Sequence, residues 1–227
     1  MTMADGWQII QGNLDAFLAA AGVTVQVAVF GLAIGFAGGV LLALSRISSF
    51  KPLSWLATIY IEIIRGTPLL IQIFFIYFGF GAISPLLNFN ALTAGILALG
   101  LNSAAYQAEI IRGGIESVPK GQMEAARSIG MTRMQAMRHV ILPQSFRLMI
   151  PAMTNEMVTL IKDTSLVSTI TVVELTFVGK QLTSRYLEAV PILGFVALIY
   201  LVMTFATSRA MRYLEHKYRI PGYGEEE

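Results

Sequence analysis

The sequence predicts an all-α polytopic membrane protein: five transmembrane helices, with a polar helical loop between the third and the fourth. Two observations point there. Of 227 residues, 55% are hydrophobic and only 13% are charged, against about 25% in soluble domains. Mean hydropathy is +0.65, and the charges are gathered between uncharged runs long enough to cross a bilayer. The chain reads as one membrane domain over 1–227, with its core at about 19–211.

Several chemistries are excluded. There is no cysteine, so no disulfide or thiolate site can form. His139 and His216 are the only histidines, and neither sits in a metal-ligand pattern, so no metal site is expected. A net charge of +2 gives no reason to expect nucleic acid. No Gly-x-x-x-x-Gly-Lys-Ser/Thr loop is present, so the chain lacks the usual phosphate cradle of an ATPase. The first eighteen residues carry Asp5 and Asp15 and no Lys or Arg. That is not the basic start of a cleaved leader, and none is expected. Trp7, Ile9, Ile10, Leu14, Phe17 and Leu18 can instead form an interfacial face.

Span one, about 20–44, is uncharged, and Gly31, Gly35, Gly38 and Gly39 permit close helix contact. Span two, about 56–80, is interrupted by Glu62, Arg65, Gly66, Thr67 and Pro68. Pro68 has no backbone donor, so a break or kink is expected there. Glu62 and Arg65 are three apart and are read as a structural pair. Span three, about 91–111, ends at Glu109 and Arg112. The polar loop, about 113–147, holds Arg112 at its edge, then Lys120, Arg127, Arg133, Arg138 and Arg147 against Glu116 and Glu124. Gly130 is the expected bend between two short helices, and Pro143 the expected helix stop before span four. Span four, about 149–171, contains Glu156, Lys162 and Asp163; segment 172–188 is mixed; span five is about 190–208. Arg209, Arg212, Lys217 and Arg219 follow. Basic residues follow spans one, three and five, which places the N-terminus outside and the loop and C-terminus in the cytosol.

Glu124-Ala125-Ala126, then Gly130, Val140 and Leu142-Pro143, resembles the cytoplasmic loop of permease subunits of bacterial binding-protein-dependent ABC importers. Val140 stands where that family usually has Ile. Arg65-Gly-Thr-Pro-Leu-Leu-Ile-Gln72, Asn155-Glu156 and Lys162-Asp-Thr-Ser-Leu166 resemble its polar amino acid branch. The resemblance covers nearly the whole chain and implies the type I ABC importer permease fold. It implies that Glu124, Ala125, Ala126, Arg127, Gly130 and Met131 form a coupling helix and turn docked on a separate ATPase subunit. It implies partners: two ATPase subunits that bind ATP and Mg, a second permease that is the same chain or a paralogue, an extracytoplasmic amino-acid-binding protein, and membrane lipid. It places the chain in the bacterial inner membrane, without catalysis or a cofactor of its own.

An ionisable group inside a span is a functional candidate by default. Glu156 and Asp163 are seven apart and lie on nearly one helical face; Lys162 lies on another. A face lined by acids suits a cationic solute. The resemblance puts Glu156 near a midplane substrate pocket, which makes it the candidate contact for a basic side chain such as that of arginine, histidine or lysine. The alternative is an interior carboxylate paired with Lys162, Arg65 or a partner subunit. Lys162 and Asp163 either pair structurally or bind the α-amino and α-carboxyl groups of a substrate. Asn155 and Ser165 join this candidate set. Thr67 and Gln72, beside the break at Gly66 and Pro68, can bond a zwitterion, since irregular backbone at membrane depth is tolerated where it lines a cavity. Glutamine or another neutral polar amino acid is the alternative substrate. An ion-coupled secondary transporter using Glu156 is a rival reading that does not need the 124–143 loop, and a membrane scaffold is another, which explains the spans and the basic loop but not the three charges in span four.

Overall fold

A computed structural model describes residues 3–218, and they contain no strand. Arg219, one of the basic residues of the C-terminal tail, lies outside the described residues. Helices α1 (Met3–Gly12) and α2 (Leu14–Arg46) are followed by α3 (Lys51–Arg65) and α4 (Leu69–Phe74). A π turn, Phe75–Gly79, joins α4 to α5 (Phe80–Ile83). Then come α6 (Ala91–Glu116), α7 (Lys120–Ser128) and α8 (Arg133–Ala136). A second π turn, Met137–Ile141, leads into α9 (Leu142–Asp163), which tightens into a 3-10 stretch, Thr164–Ile170. Helices α10 (Leu175–Tyr186) and α11 (Ala189–Tyr218) complete the order.

Among the described residues, α2 and α11 are long and apolar enough to cross a membrane. The α3–α5 stretch is a third candidate if taken as one span, bent by 107° at its break. Helices α6 and α9 are not among these candidates. They carry the polar residues Asn102, Ser103, Gln107, Asn155 and Glu156. Span one begins earlier than its composition suggests, because Asn13 is the only interruption: its Nδ2 donates back to the carbonyl of Ile9 at 2.8 Å. Span four ends earlier, as the α-helix gives way at Thr164 to the tighter 3-10 form.

Small residues set the central contact. Helix α2 lies against α6, and a Cβ added at Gly39 would stand 2.7 Å from the Gln107 Cβ and 3.3 Å from the Ala104 carbonyl oxygen. One at Gly35 would stand 2.7 Å from the Ser103 Cβ, and one at Gly100, from the other side, 2.7 Å from the Ile34 Cβ. The two backbones therefore interlock at a separation that only small residues allow. Around this pair, Val27, Ile73, Ile76, Ala98, Leu99, Leu160 and Val167 form the main buried cluster. A second cluster, with Phe17, Leu175 and Ile192, seals α10 and α11 against the start of α2.

Replacing Gly39 with Leu is expected to lower stability by about 1–3 kcal/mol, the usual cost of overpacking. Gly22→Leu, on the same helix but with open space around the added Cβ, is expected to be neutral. Thermal unfolding midpoints of the two purified variants check this; equal midpoints would contradict it.

Candidate functional site

The break between α3 and α4 is a built structure. Gly66 closes α3, its N–H donating to the Glu62 carbonyl at 2.8 Å, and Pro68 turns the chain extended at φ −64°, ψ 134°. Freed carbonyls at such a break need donors. Gln72 supplies them: its Nε2 donates to Ile64 O at 2.8 Å, Thr67 O at 3.1 Å and Thr67 Oγ1 at 2.9 Å. Thr67 Oγ1 donates to Ile63 O at 2.8 Å, and Asn102 Nδ2 donates to Gln72 Oε1 at 2.9 Å. Thr67 and Gln72, expected as zwitterion donors, thus direct their donors at the broken backbone and hold its shape.

Glu156 faces α6. Ser103 Oγ donates to Glu156 Oε1 at 2.7 Å, and Gln107 Nε2 donates to Ser103 Oγ at 3.4 Å. Gly35 leaves the room for Ser103 to sit there. Among the described residues Glu156 forms no ion pair with Lys162 or Arg65. Arg65 goes elsewhere: Nη1 is 3.7 Å from Glu109 Oε2, and its guanidinium lies 5.6 Å from the Tyr106 ring centre. This corrects the expected Glu62–Arg65 pair. Spacing allows that pair, but Glu109 offers Arg65 a less exposed partner on α6. Arg46 and Arg112 also pair with Glu109, and Arg112 reaches Glu116 at 2.5 Å. Three cations from α2, α3 and α6 thus converge on one carboxylate.

The remaining candidates divide. Asp163 is half-buried, while Asn155 and Lys162 are exposed. Lys162 and Ser165 line an open groove of about 460 Å³ with Thr176 and Tyr200. Its back is held by Glu174, fully buried, which accepts from the N–H groups of Thr176 at 2.9 Å and Phe177 at 2.7 Å and from the Tyr200 hydroxyl at 2.7 Å. The seven substrate candidates therefore fall into separate groups. Helix α6 joins two of them, since Asn102 and Ser103 are chain neighbours serving different helices. Sequence reasoning passed over Asn102, Ser103, Gln107 and Glu174. The cluster of Asn102, Ser103 and Gln107 in a span otherwise rich in small and apolar residues was the available signal.

The loop is compact. Helix α7 ends in a Schellman turn: Gly130 N–H donates to Arg127 O at 3.1 Å and Met131 N–H to Ala126 O at 3.2 Å. Gly130 has φ +88°, a value that disfavours any side chain. Thr132 and Gln135 then form a capping box for α8. Ala126 is buried, whereas Glu124, Ala125 and Arg127 are exposed. Ile129 and Met134 stand 77% and 76% exposed, an apolar pair at the tip of a polar loop. Pro143 does not stop a helix, contrary to the local rule. The path from α8 to α9 stays helical, and the carbonyl four residues back, that of His139, falls inside the wide π turn. That turn relieves the clash a proline makes in a regular α-helix.

Comparison with known proteins agrees with this architecture. Residues 35–220 match the family described as the binding-protein-dependent transport system inner membrane component. The nopaline transport system permease protein NocM of Agrobacterium fabrum (strain C58) is 42% identical over 216 residues, covering 92% of this chain and 90% of that protein. The glutamine transport system permease protein GlnP of Escherichia coli (strain K12) is 36% identical over 214 residues, covering 94% and 98%. The crystal structure of an amino acid ABC transporter with histidines superposes with a TM-score of 0.89 at 39% identity, covering 96% of this chain and 100% of that one. The chain accordingly belongs to the binding-protein-dependent transport system inner membrane component family, and is a membrane permease subunit rather than an enzyme.

Proposed function

We propose that this chain is the five-span permease of an ATP-driven amino acid importer and that its substrate is a polar amino acid, a basic one being favoured. The observation that carries the substrate reading is the Glu156 carboxylate. It is half-buried, hydrogen-bonded by Ser103 alone, and without a cationic partner among the described residues. A negative charge held away from water acts on a cation far more strongly than it would in bulk solvent. Asp163, on nearly the same face, adds to it. The named relatives handle nopaline and glutamine, and the structural neighbour carries histidines. The glutamine relative favours a second reading, a neutral polar substrate.

In this reading α6 and α9 are spans whose polar residues face inward, and the basic loop and the C-terminal end of α11 lie in the cytosol. An extracytoplasmic binding protein delivers the substrate to the opposite side. Two ATPase subunits bind ATP and Mg, and their closure supplies the work. The surface of Glu124, Ala125, Arg127, Gly130 and Met131, with Ile129 and Met134 at its tip, docks on an ATPase. A second permease, this chain or a paralogue, completes the pathway.

Three experiments test these points. With a binding protein that accepts both solutes, Glu156→Gln is expected to lower the arginine-to-glutamine uptake ratio about tenfold, or ~1.4 kcal/mol; an unchanged ratio would remove Glu156 from charge selection. The chain has no native cysteine, so single cysteines report orientation cleanly. Ser184→Cys is expected to react with an impermeant maleimide in intact cells, and Ser128→Cys only after permeabilisation. Labelling of both from outside refutes the orientation. Gly130→Val forces a β-branched residue to φ +88°, a strain of about 1–3 kcal/mol, and is expected to abolish stimulation of the ATPase. Gly130→Asn, which tolerates that conformation, is expected to retain it. Equal stimulation in the two variants would detach the turn from coupling.

A further inference from the structure

A groove of about 470 Å³ opens sideways between α2, α6 and α9, and every residue lining it is apolar. It runs from Ile47, Ile115 and Leu142 at the loop end to Phe36 and Met153 deeper along the helices. Eleven residues of α2 separate its ends, which is about 16 Å of helix. Phe36, Leu44 and Phe146 on its rim are exposed. Water has no partner on such walls, so in a bilayer a hydrocarbon chain is the natural filling.

Charged residues appear in the cavity that adjoins the loop end of the groove. A second cavity of about 510 Å³ shares Ile115 with the groove and is lined also by Lys120, Glu116, Met123 and Met137. Glu116 is taken by Arg112, whereas Lys120 is exposed and forms no ion pair among the described residues. Arg147, next in sequence to the groove residue Phe146, is likewise exposed. An apolar slot whose adjoining cavity presents a lysine has the chemistry of a lipid: chain in the slot, anionic headgroup at the lysine.

We propose that the groove between α2, α6 and α9 binds an acyl chain of an anionic phospholipid, with the lipid phosphate against Lys120. The site is separate from Glu156 and from the surface of Glu124, Ala125, Arg127, Gly130 and Met131. It rests on the proposed orientation only for which leaflet supplies the lipid.

The test uses the assembled transporter, reconstituted in vesicles of phosphatidylglycerol and phosphatidylethanolamine in equal amounts. After extraction in mild detergent, native mass spectrometry quantifies the lipid retained per chain. The wild type is expected to retain phosphatidylglycerol in preference to phosphatidylethanolamine. Lys120→Gln is expected to reduce that preference about fivefold, the effect of one interfacial cation. Val40→Trp, which fills the groove, is expected to lose both lipids; Met153→Trp, from the opposite wall, serves the same end if the first variant does not assemble. Retention of neither lipid by the wild type, or of both in the vesicle ratio, overturns the proposal. So does a benzophenone side chain at position 36 that crosslinks only to a second copy of the chain, which would make the groove a protein interface. Lipid retention needs neither uptake nor ATP hydrolysis, so its failure leaves the transport reading intact.

Discussion

Hydrocarbon offers no hydrogen bonds, so each polar group placed at membrane depth must find its partner inside the protein. With α6 taken as a span, as proposed above, the arrangement around it follows from that constraint. A break after α3 frees carbonyl groups, and Gln72 and Thr67 close on them. Gln72 in turn is held by Asn102. Glu156 needs a donor, and Ser103 provides it. Ser103 can occupy that position only because Gly35 brings α2 close without a side chain in the way. Helix α6 therefore serves as a common donor rail for elements on either side of it.

Under the proposed five-span reading, the same constraint accounts for the weaker membrane signature of α6 and α9 beside that of α2 and α11. Helices α2 and α11 meet the length and apolarity of a span. Helices α6 and α9 carry the polar residues whose bonds run between helices. The interior polar cluster and the weak membrane signature are two views of one choice of residues. Helix α9 divides its polar groups by direction. Glu156 and Asp163 share its inner side, while Asn155 and Lys162 are exposed.

Parts of this were legible in the sequence. The uncharged run at about 20–44, the glycines at 31, 35, 38 and 39 and the Gly66–Pro68 interruption each follow from local chemistry. So does the left-handed turn at Gly130. Other parts depend on residues far apart in the chain. The Asn102–Gln72 bond spans 30 positions and the Ser103–Glu156 bond spans 53, and no periodicity in one segment reveals either. Arg65 had an acceptable neighbour in Glu62 at helical spacing, but the packing of α3 on α6 offered Glu109. Pro143 obeys its local rule in most helices; here a wide turn just before it absorbs the clash, and a widened turn has no sequence signature. Glu174 read as one more charge in a mixed segment. Its role as the buried cap of α10 appears only once Tyr200 of α11 stands beside it.

The unbroken helical path from Arg133 to Asp163 has a mechanical consequence. No flexible linker separates the corner at Thr132 from Glu156. Their separation along the path is 24 residues, about 36 Å of rod. A push on that corner therefore reaches the half-buried Glu156 carboxylate as tilt or axial travel, with little slack to absorb it. Two weak points lie along the way: the π turn at Met137–Ile141 and Pro151 inside α9, which lacks the backbone donor of a regular helix. A protein built like this turns a displacement at its surface into a change of angle at its centre, and the stiffness of these two points sets the gearing.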